Sequence, residues 1–347
     1  MFPTERLLKA LQSLSLDPET AAAERVAPLL YFGDPEGAAP ALRKAYYESA
    51  ARSLLLLDAL DELTAAFASQ GVRPVVLKGA DFARRLYPSP AVRPMSDVDI
   101  WVSPDEAPRA ESVLDSLGYR PVPEMTPGLS RAVRHARTYA GARPGIAIDL
   151  HWSLIGHETD RRAPSLDWFR TRVADGRLDT TASLLYLAAH VKIQHYDEPA
   201  PLIWLADFYL LSREPDADFP ALFSAARSFG WELALAGLVD EVQTRLGVEL
   251  PSSLAAHARP MPASVSDRKG GPEYAWNELR ALPFRGRAAL LRAWALPSPS
   301  YIRFRYCPQP AWTWPLFYPV RWARLLSSAA TIAIGPRRSR PLFREAP

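Results

Sequence analysis

The sequence predicts an α/β (α+β) core, built on a small mixed sheet and followed by a helical C-terminal domain. The core is predicted because short segments typical of strands cluster between residues 72 and 152, separated by Gly, Pro and Asp. The helical domain is predicted because apolar residues beyond about residue 165 recur at helical spacing.

The first elements follow from local pattern. Residues 5–13 and 41–71 carry Leu and Ala at helical spacing, and Gly71 supplies a stop for the second helix. The segment RPVVLKG, residues 73–79, is short, apolar and β-branched, which predicts a buried strand. The next eight residues, 80–87, predict two helical turns that end before a Pro-Ser-Pro sequence.

Further strands follow. SDVDIWV, residues 96–102, alternates polar and apolar side chains with a period of two, as a half-buried strand does. Ser103 and Glu106 form a capping box with proline between them at the first helical position, and Gly118 closes that helix. ARTYA, the turn GARPG and IAIDLHW, together residues 136–152, predict a hairpin.

The remainder of the chain predicts helices, with a loop or linker near residues 257–273. The predicted helices are 180–195, 200–212, 219–229, 231–246 and 286–296. The predicted organisation is N-terminal helices packing on the core (1–70), the core (71–160), a helical domain (161–296), a Pro- and aromatic-rich wrap with a terminal helix (297–336), and a disordered basic tail (337–347).

Composition favours a folded protein of a reducing compartment. A single cysteine, Cys307, excludes an intrachain disulfide. The start of the chain, MFPTERLLKALQ, contains an acidic residue and lacks the apolar stretch of a signal peptide. No run of 18 uncharged apolar residues predicts a membrane-spanning helix. We therefore expect a cytoplasmic protein without a transmembrane segment.

Charge is distributed unevenly. Residues 285–347 contain 11 Arg and one acid, Glu345, giving +10; because the whole chain carries +3, residues 1–284 carry −7. The arginines of this region interleave with aromatic residues, a composition suited to weak contact with a polyanion or an anionic membrane surface. The interpretation that the sequence favours is different: the aromatics anchor a Pro-rich wrap, its tryptophans buried, on the helical domain.

Asp97 and Asp99 carry the main chemical signal. Residues i and i+2 of a strand face the same side, so the two carboxylates project together. Adjacent carboxylates repel each other unless a divalent cation lies between them. Asp149, in the otherwise apolar segment IAIDLHW, offers a third carboxylate from another strand. These acids predict a site for Mg²⁺, or Mn²⁺, that completes its shell with water and substrate phosphates.

The residues around these acids predict phosphate binding. Gly79 lies between a strand and a helix, where backbone amides can approach an anion and the helix presents its N-terminus. Lys78 either binds phosphate or offsets the charge of the aspartates. Arg93 is a candidate for neutralising a triphosphate, with a surface-loop role as the alternative. Ser96 is a candidate phosphate contact, with a turn role as the alternative.

Two histidines are candidates for the acceptor site. His151 shares a strand face with Asp149, and could orient a water, contact the acceptor or support a metal ligand through a hydrogen bond. His190 lies on a predicted helix and could line the acceptor cleft, or it could be a hydrogen-bonded core histidine.

The segments LKGADFARRLY, RPMSDVDIWV and IDLHW resemble the DNA polymerase beta-like nucleotidyltransferase superfamily, most closely its bacterial branch of uncharacterised nucleotidyltransferases. That superfamily has a glycine turn after a strand, Asp-x-Asp on the next strand and a third Asp on a later strand. The matching positions are Gly79, Asp97, Asp99 and Asp149. The resemblance is clear over about residues 72–152, although Ala80 stands where the superfamily often has Gly or Ser.

The resemblance implies an Mg²⁺-dependent enzyme that moves a nucleoside monophosphate from an NTP to an acceptor, with release of pyrophosphate. Asp97, Asp99 and Asp149 would be its catalytic metal ligands. The acceptor, whether a small molecule, a protein or an RNA, is not specified by the residues. Two other functions stay open: a non-catalytic nucleotide-binding adaptor, and an RNA-directed nucleotidyltransferase, which the basic tail favours.

Overall fold

The computed structural model describes residues 3–129, 134–155, 164–195, 199–260, 279–280, 282 and 284–334 of the chain. Its helices are α1 Pro3–Ser13, α2 Pro18–Ala23, α3 Ala27–Gly33, α4 Pro40–Ser69, α5 Lys78–Arg85, α6 Ala107–Ser116, α7 Pro164–Arg170, α8 Thr180–Ala189, α9 Leu202–Leu211, α10 Phe219–Ser228, α11 Glu232–Leu246, α12 Ser252–Ala255, α13 Phe284–Ala295, α14 Pro299–Tyr306 and α15 Phe317–Ile334. A π-helix, His190–His195, continues α8, and 3₁₀ turns lie at Pro90–Val92 and Ala311–Leu316.

The strands form one mixed sheet. They are β1 Val75–Leu77, β2 Val98–Trp101, β3 Arg120–Pro121, β4 Ala136–Ala140, β5 Ala147–His151, β6 Val173–Ala174 and β7 Arg177–Leu178. Their order is β3-β4-β5-β2-β1-β7-β6, with β2–β5 and β1–β7 parallel and the other pairs antiparallel. The predicted α/β class with a small mixed sheet is confirmed.

The local predictions agree closely with these elements. The helices expected at 5–13 and 41–71 are α1 and α4, and the predicted hairpin is β4–β5. Ser103 and Glu106 form the predicted capping box, with Ser103 Oγ donating to Glu106 Oε2 at 2.8 Å. Gly118 follows α6 at φ +85°, a conformation that favours glycine.

One hairpin of the sheet lies in the range predicted as helical. β6 and β7 are joined by Asp175 and Gly176, both at positive φ (51° and 70°), and β7 adds to the edge of the sheet beside β1. Asp-Gly is a common type I′ hairpin signal, so the sequence did carry a cue. The strands themselves are too short, two residues each, to show an alternating pattern.

The sheet separates two hydrophobic clusters. On one face, Val98, Ile100, Ile148 and Leu150 pack with side chains of α4, α5 and α6. On the other face, Trp101 packs in a larger cluster that includes residues of α1–α3 and α8–α11. Because strand side chains alternate, Asp99 and Asp149 lie on this second face, toward the later helices.

The C-terminal segment ends in a long helix and differs from its prediction in the burial of its tryptophans. The helix α15 has 18 residues, and Pro319 lies in its first turn, where the missing N–H costs little. The tryptophans of the segment are not all buried, since Trp312 is 73% and Trp322 42% exposed. Ser298 bonds the carbonyl oxygens of residues 124 and 125, in the segment between β3 and β4. The predicted disordered tail, 337–347, lies outside the described residues.

Candidate functional site

The site is built on two neighbouring parallel strands. β2 and β5 pair in register, so that Asp99 lies beside Asp149 and Trp101 beside His151. β1 pairs with β2 on its other side, with Leu77 opposite Asp99, and this brings Lys78 to the same place. Local strand pattern therefore puts the acids on one face, and strand order makes them neighbours.

Asp99 is the centre of the polar contacts. Lys78 Nζ lies 3.1 Å from its Oδ1, and His151 Nε2 lies 3.0 Å from the same oxygen. An ionised carboxylate accepts only, so the His151 Nε2–H donates to it. Burial alone would raise the pKa of Asp99, but Lys78 and His151 outweigh it and hold that pKa below its ordinary value. Asp99 is therefore ionised and anchored.

A second group of three residues, which shares Asp99 and His151, has the donor set of a metal site. Asp99, Asp149 and His151 each offer a ligand atom, and these atoms lie within 4.8 Å of one another. Two atoms of the cluster, Asp149 Oδ1 and His151 Nδ1, are buried without a hydrogen-bond partner among the described residues. Unsatisfied buried acceptors are costly, so an unpartnered carboxylate oxygen here fits a cation or substrate proton.

Asp97 lies in the bend before β2 rather than on the strand. Burial raises the pKa of Asp97, and the charges of Asp99 and Asp149 raise it further, while a hydrogen bond with the Ser96 side chain lowers it. Asp97 is thus close enough for electrostatic repulsion by both Asp99 and Asp149. The structure brings Asp99 and Asp149 together as predicted. The third residue of the cluster of ligand atoms is His151, whereas Asp97 was expected there.

Lys78 is held between the acid and a histidine. Its Nζ also lies 3.3 Å from His190 Nε2, on the π-helix after α8. Burial by itself would lower the pKa of Lys78, but the charge of Asp99 outweighs this and raises it, so Lys78 stays protonated. Its backbone has φ +43°, a left-handed conformation that costs free energy in a residue other than glycine.

Gly79 lies within the first turn of α5, and the left-handed residue of this junction is Lys78. A Cβ placed on Gly79 would lie 2.8 Å from Nη1 of Arg93. The glycine is therefore required by the close approach of a side chain. Whether it also lets backbone amides approach phosphate stays a prediction.

Arg93 lies neither on the surface nor among the acids of the site, but in a buried pair with Asp207. Its guanidinium is buried, 6% exposed, and donates from Nη2 to Asp207 Oδ2 at 2.6 Å and from Nη1 to the Pro94 carbonyl oxygen at 3.2 Å. Tyr87 donates to the other oxygen of Asp207 at 2.7 Å. The surface-loop alternative is wrong, and a guanidinium already engaged by a buried carboxylate has little left for a triphosphate.

Four histidines lie close together at the site, two from the sheet region and two from the π-helix. His190 and His195 of the π-helix have ring centroids 4.2 Å apart, and Gln194 Nε2 lies 2.6 Å from His135 Nε2. The His135 ring is 5.3 Å from that of His151. Burial lowers the pKa of His190 well below its ordinary value, with Lys78 adding to the effect, so the ring is neutral.

Sequence reasoning missed three contributors to this region: Asp207, His135 and His195. Asp207 did carry a signal, because it is the one acid of the apolar helix α9 and a buried carboxylate needs a partner. His135 and His195 carried none, since each lies at the end of an element where histidine is unremarkable. Ser96 is exposed and bonds Asp97, which agrees with the local role considered for it.

Comparison with protein-family models decides the family. The model described as "Uncharacterised nucleotidyltransferase" matches residues 19–247, about two thirds of the chain. The chain belongs to this nucleotidyltransferase family. No curated protein and no solved structure matches it.

The family match covers the site and its surroundings. Residues 19–247 include the whole sheet, α4 to α11 and every residue of the site described above. The C-terminal segment from residue 248 lies beyond the match. None of the described helices is both long and apolar enough to cross a membrane.

Proposed function

We propose that this nucleotidyltransferase is an Mg²⁺-dependent enzyme of the DNA polymerase beta-like superfamily, which transfers a nucleoside monophosphate from an NTP to an acceptor and releases pyrophosphate. The observation that carries the proposal is the cluster of Asp99, Asp149 and His151, with a buried, unpartnered oxygen on Asp149. Family membership supports the reaction class. The order glycine, Asp-x-Asp and later Asp supports the superfamily.

The residues of the cluster fit a divalent cation. Asp99 and Asp149 supply hard oxygen donors, Asp97 adds negative charge nearby, and His151 supplies a nitrogen donor that suits Mn²⁺ as well as Mg²⁺. Bound there, the cation would neutralise the charge of the phosphates and polarise the phosphoryl oxygens.

The chain itself would hold the triphosphate with Lys78 and the start of α5. Lys78 is protonated, buried and next to the acids, so in the proposed complex its charge is available to phosphate oxygens once a cation neutralises Asp99. The backbone amides of the first turn of α5, including that of Gly79, have no partner within the helix and would bind phosphate oxygens. Arg93 would act indirectly, by fixing the segment that leads into β2 through its pair with Asp207.

Asp149 is the proposed general base. In the reaction, the acceptor oxygen would form a bond to the α-phosphorus, its proton would pass to Asp149 Oδ1, and the bond from the α-phosphorus to the bridging oxygen of pyrophosphate would break. Asp149 suits this because its Oδ1 has no hydrogen-bond partner among the described residues, whereas Asp99 Oδ1 is occupied. His190, next to Lys78, would line the side on which the acceptor enters.

A non-catalytic nucleotide-binding protein is the second candidate. The observation that favours it is the ion pair between Lys78 and Asp99, which neutralises one acid without any metal. An RNA-directed transferase differs only in the acceptor, and the basic C-terminal region is the feature that favours it.

The test uses radiolabelled ATP, GTP, CTP and UTP, each with Mg²⁺ or Mn²⁺, and separate pools of total RNA, protein and small metabolites as acceptors. We expect metal-dependent labelling of one pool, and loss of at least about 100-fold with Asp149→Asn. Asp105→Asn, an exposed aspartate just beyond β2, is the matched control and should keep full activity.

Melting curves separate the candidates. Metal with NTP should raise the melting temperature of the wild type by ligand linkage. A shift without labelling of any pool would favour the non-catalytic candidate. If neither a shift nor labelling appears with any NTP up to millimolar concentration, the proposed function is wrong.

A further inference from the structure

The C-terminal arm, residues 297–327, is held to the rest of the protein by its polar groups. Arg321 Nε donates to the Trp294 carbonyl oxygen at 2.9 Å, and its guanidinium stacks over the ring of Tyr301. Ser298 N donates to the Met125 carbonyl oxygen at 2.6 Å. The inward face of α15 is thus held by hydrogen bonds and an arginine, together with the half-buried side chains of Phe317, Tyr318 and Leu325.

A second apolar stripe, which begins at the end of the 3₁₀ turn and continues along α15, faces solvent. Leu316, Val320, Ala323 and Leu326 follow one another at steps of four, three and three residues, which places them on one side of the helix. All four are exposed, and Leu326 is 72% exposed. A helix of a globular protein normally buries such a stripe, so this face lacks its partner.

The surroundings of the stripe are aromatic and basic. Phe304 and Trp312, both exposed, add apolar surface on the preceding α14 and 3₁₀ turn. Arg303, Arg305 and Arg324 are exposed around them, and residues 285–347 together carry +10. Exposed Leu and Trp combined with arginine-rich flanks are the composition of a helix that lies in the interface of an anionic bilayer.

We propose that the C-terminal arm binds the surface of an anionic lipid membrane, with the Leu316–Leu326 stripe inserted below the headgroups and the arginines in contact with them. This inference concerns a surface outside the nucleotidyltransferase site and does not depend on the proposed reaction.

Charge and chemistry favour lipid over the other occupants. A second copy of the chain would bring two arms together, each with four arginines and no acid over residues 297–327, and like charges repel. Single-stranded RNA would use the arginines and aromatic rings, but it offers nothing to aliphatic side chains such as Leu316 and Leu326. A bilayer satisfies both parts, because hydrocarbon takes the leucines and anionic headgroups take the arginines.

The experiment is co-sedimentation of the full chain with vesicles of phosphatidylglycerol and phosphatidylcholine, compared with phosphatidylcholine alone. We expect binding to the anionic vesicles only, weakened by salt. The double variant Leu316→Gln/Leu326→Gln should bind at least about tenfold more weakly per leucine replaced. Arg303→Gln and Arg305→Gln should each weaken binding about fivefold.

The matched control is Leu54→Gln, on α4, because Leu54 has the same exposure as Leu326, 72%, but lies outside the arm. It should bind vesicles like the wild type, and all variants should keep the wild-type melting temperature since the replaced side chains are exposed. A full chain that stays in the supernatant with anionic vesicles overturns the proposal. A leucine double variant that binds anionic vesicles like the wild type also overturns it, because binding by charge alone would suit a polyanion such as RNA. Self-association of the wild type that this variant abolishes in the absence of vesicles overturns it as well.

Discussion

Asp99 and Asp149 are neighbours on parallel strands, yet their environments divide the work between them. Asp99 Oδ1 accepts from Lys78 and His151, so this carboxylate is fixed in position and charge. Asp149 Oδ1 is buried and has no partner among the described residues. Asp99 is therefore suited to hold a ligand in place, and Asp149 is suited to accept a proton.

Asp97→Asn should separate a catalytic role from a structural one. Burial, with the charges of Asp99 and Asp149, raises the pKa of Asp97, so its ionised form costs stability above the pKa of the unfolded state. We expect the free energy of unfolding without metal to be unchanged or slightly higher at pH 7, and metal-dependent transfer to be lost. Urea unfolding and the transfer assay measure these, with Asp105→Asn as control. Wild-type turnover in the variant would remove Asp97 from the metal site.

His190 should make the fold sensitive to acid. Burial and Lys78 hold its pKa below 6.5 in the folded state, so below about pH 6.5 the unfolded chain binds the extra proton. The free energy of unfolding should therefore fall as the pH drops from 7.5 to 5.5. His190→Gln should reduce this slope, whereas His257→Gln, at an exposed position, should not. Equal slopes in urea titrations of all three proteins would contradict the buried neutral ring.

At the scale of elements, one buried ion pair ties the segment before β2 to α9. Arg93 lies just after the 3₁₀ turn Pro90–Val92, and Asp207 is fully buried within α9. Tyr87, two residues after the end of α5, donates to the same carboxylate. The pair also fixes Arg93 against Gly79, so the start of α5, the approach to β2 and the later helices share one polar contact.

Asp207→Ala should be strongly destabilising. It leaves the Arg93 guanidinium buried without its counter-charge, and removing one partner of a buried pair costs about 3–5 kcal/mol. The matched control is Asp61→Ala, which breaks the exposed pair with Arg84 and should cost less than about 1 kcal/mol. Urea unfolding measures both. A similar small loss in the two variants would show that Arg93 reaches solvent and is free for other partners.

At the scale of the whole molecule, the site lies where the sheet meets the later helices. The strands contribute Asp99, Asp149 and His151, and the π-helix contributes His190. The C-terminal arm attaches elsewhere, to α13 and to the segment between β3 and β4, and it buries Ile302 completely. The molecule therefore combines a buried polar site with a basic, apolar appendage.

Truncation after Pro310 should leave a stable protein. The interpretation from sequence, a wrap with buried tryptophans, would instead predict that loss of this segment destabilises the chain. Because Ile302 is retained and Trp312 is exposed, we expect the melting temperature to stay within about 2 °C of the full chain. Truncation before α13 removes Leu290 and Ala293, which are buried with Leu129, and should lower it clearly. Precipitation of the protein truncated after Pro310 would support the interpretation of the segment as a wrap.

The sequence by itself determined the elements and the chemical types of the site. Helical and strand periodicity, the capping box and the hairpin depend on residues within a few positions of one another, so a local reading was sufficient. The same reading named Asp97, Asp99, Asp149, Lys78 and His151 as one group.

Only the tertiary structure decided how these residues divide their roles. His151 meets Asp99 across 52 positions and Lys78 meets His190 across 112, through strand order and helix packing that no local pattern encodes. Arg93 was assigned to phosphate or to the surface because its partner, Asp207, lies 114 positions away. The tryptophans of the arm were expected to be buried, but Trp312 and Trp322 are exposed. Composition shows that its aromatics need a surface, but packing decides which surface is in reach and which face of α15 stays open.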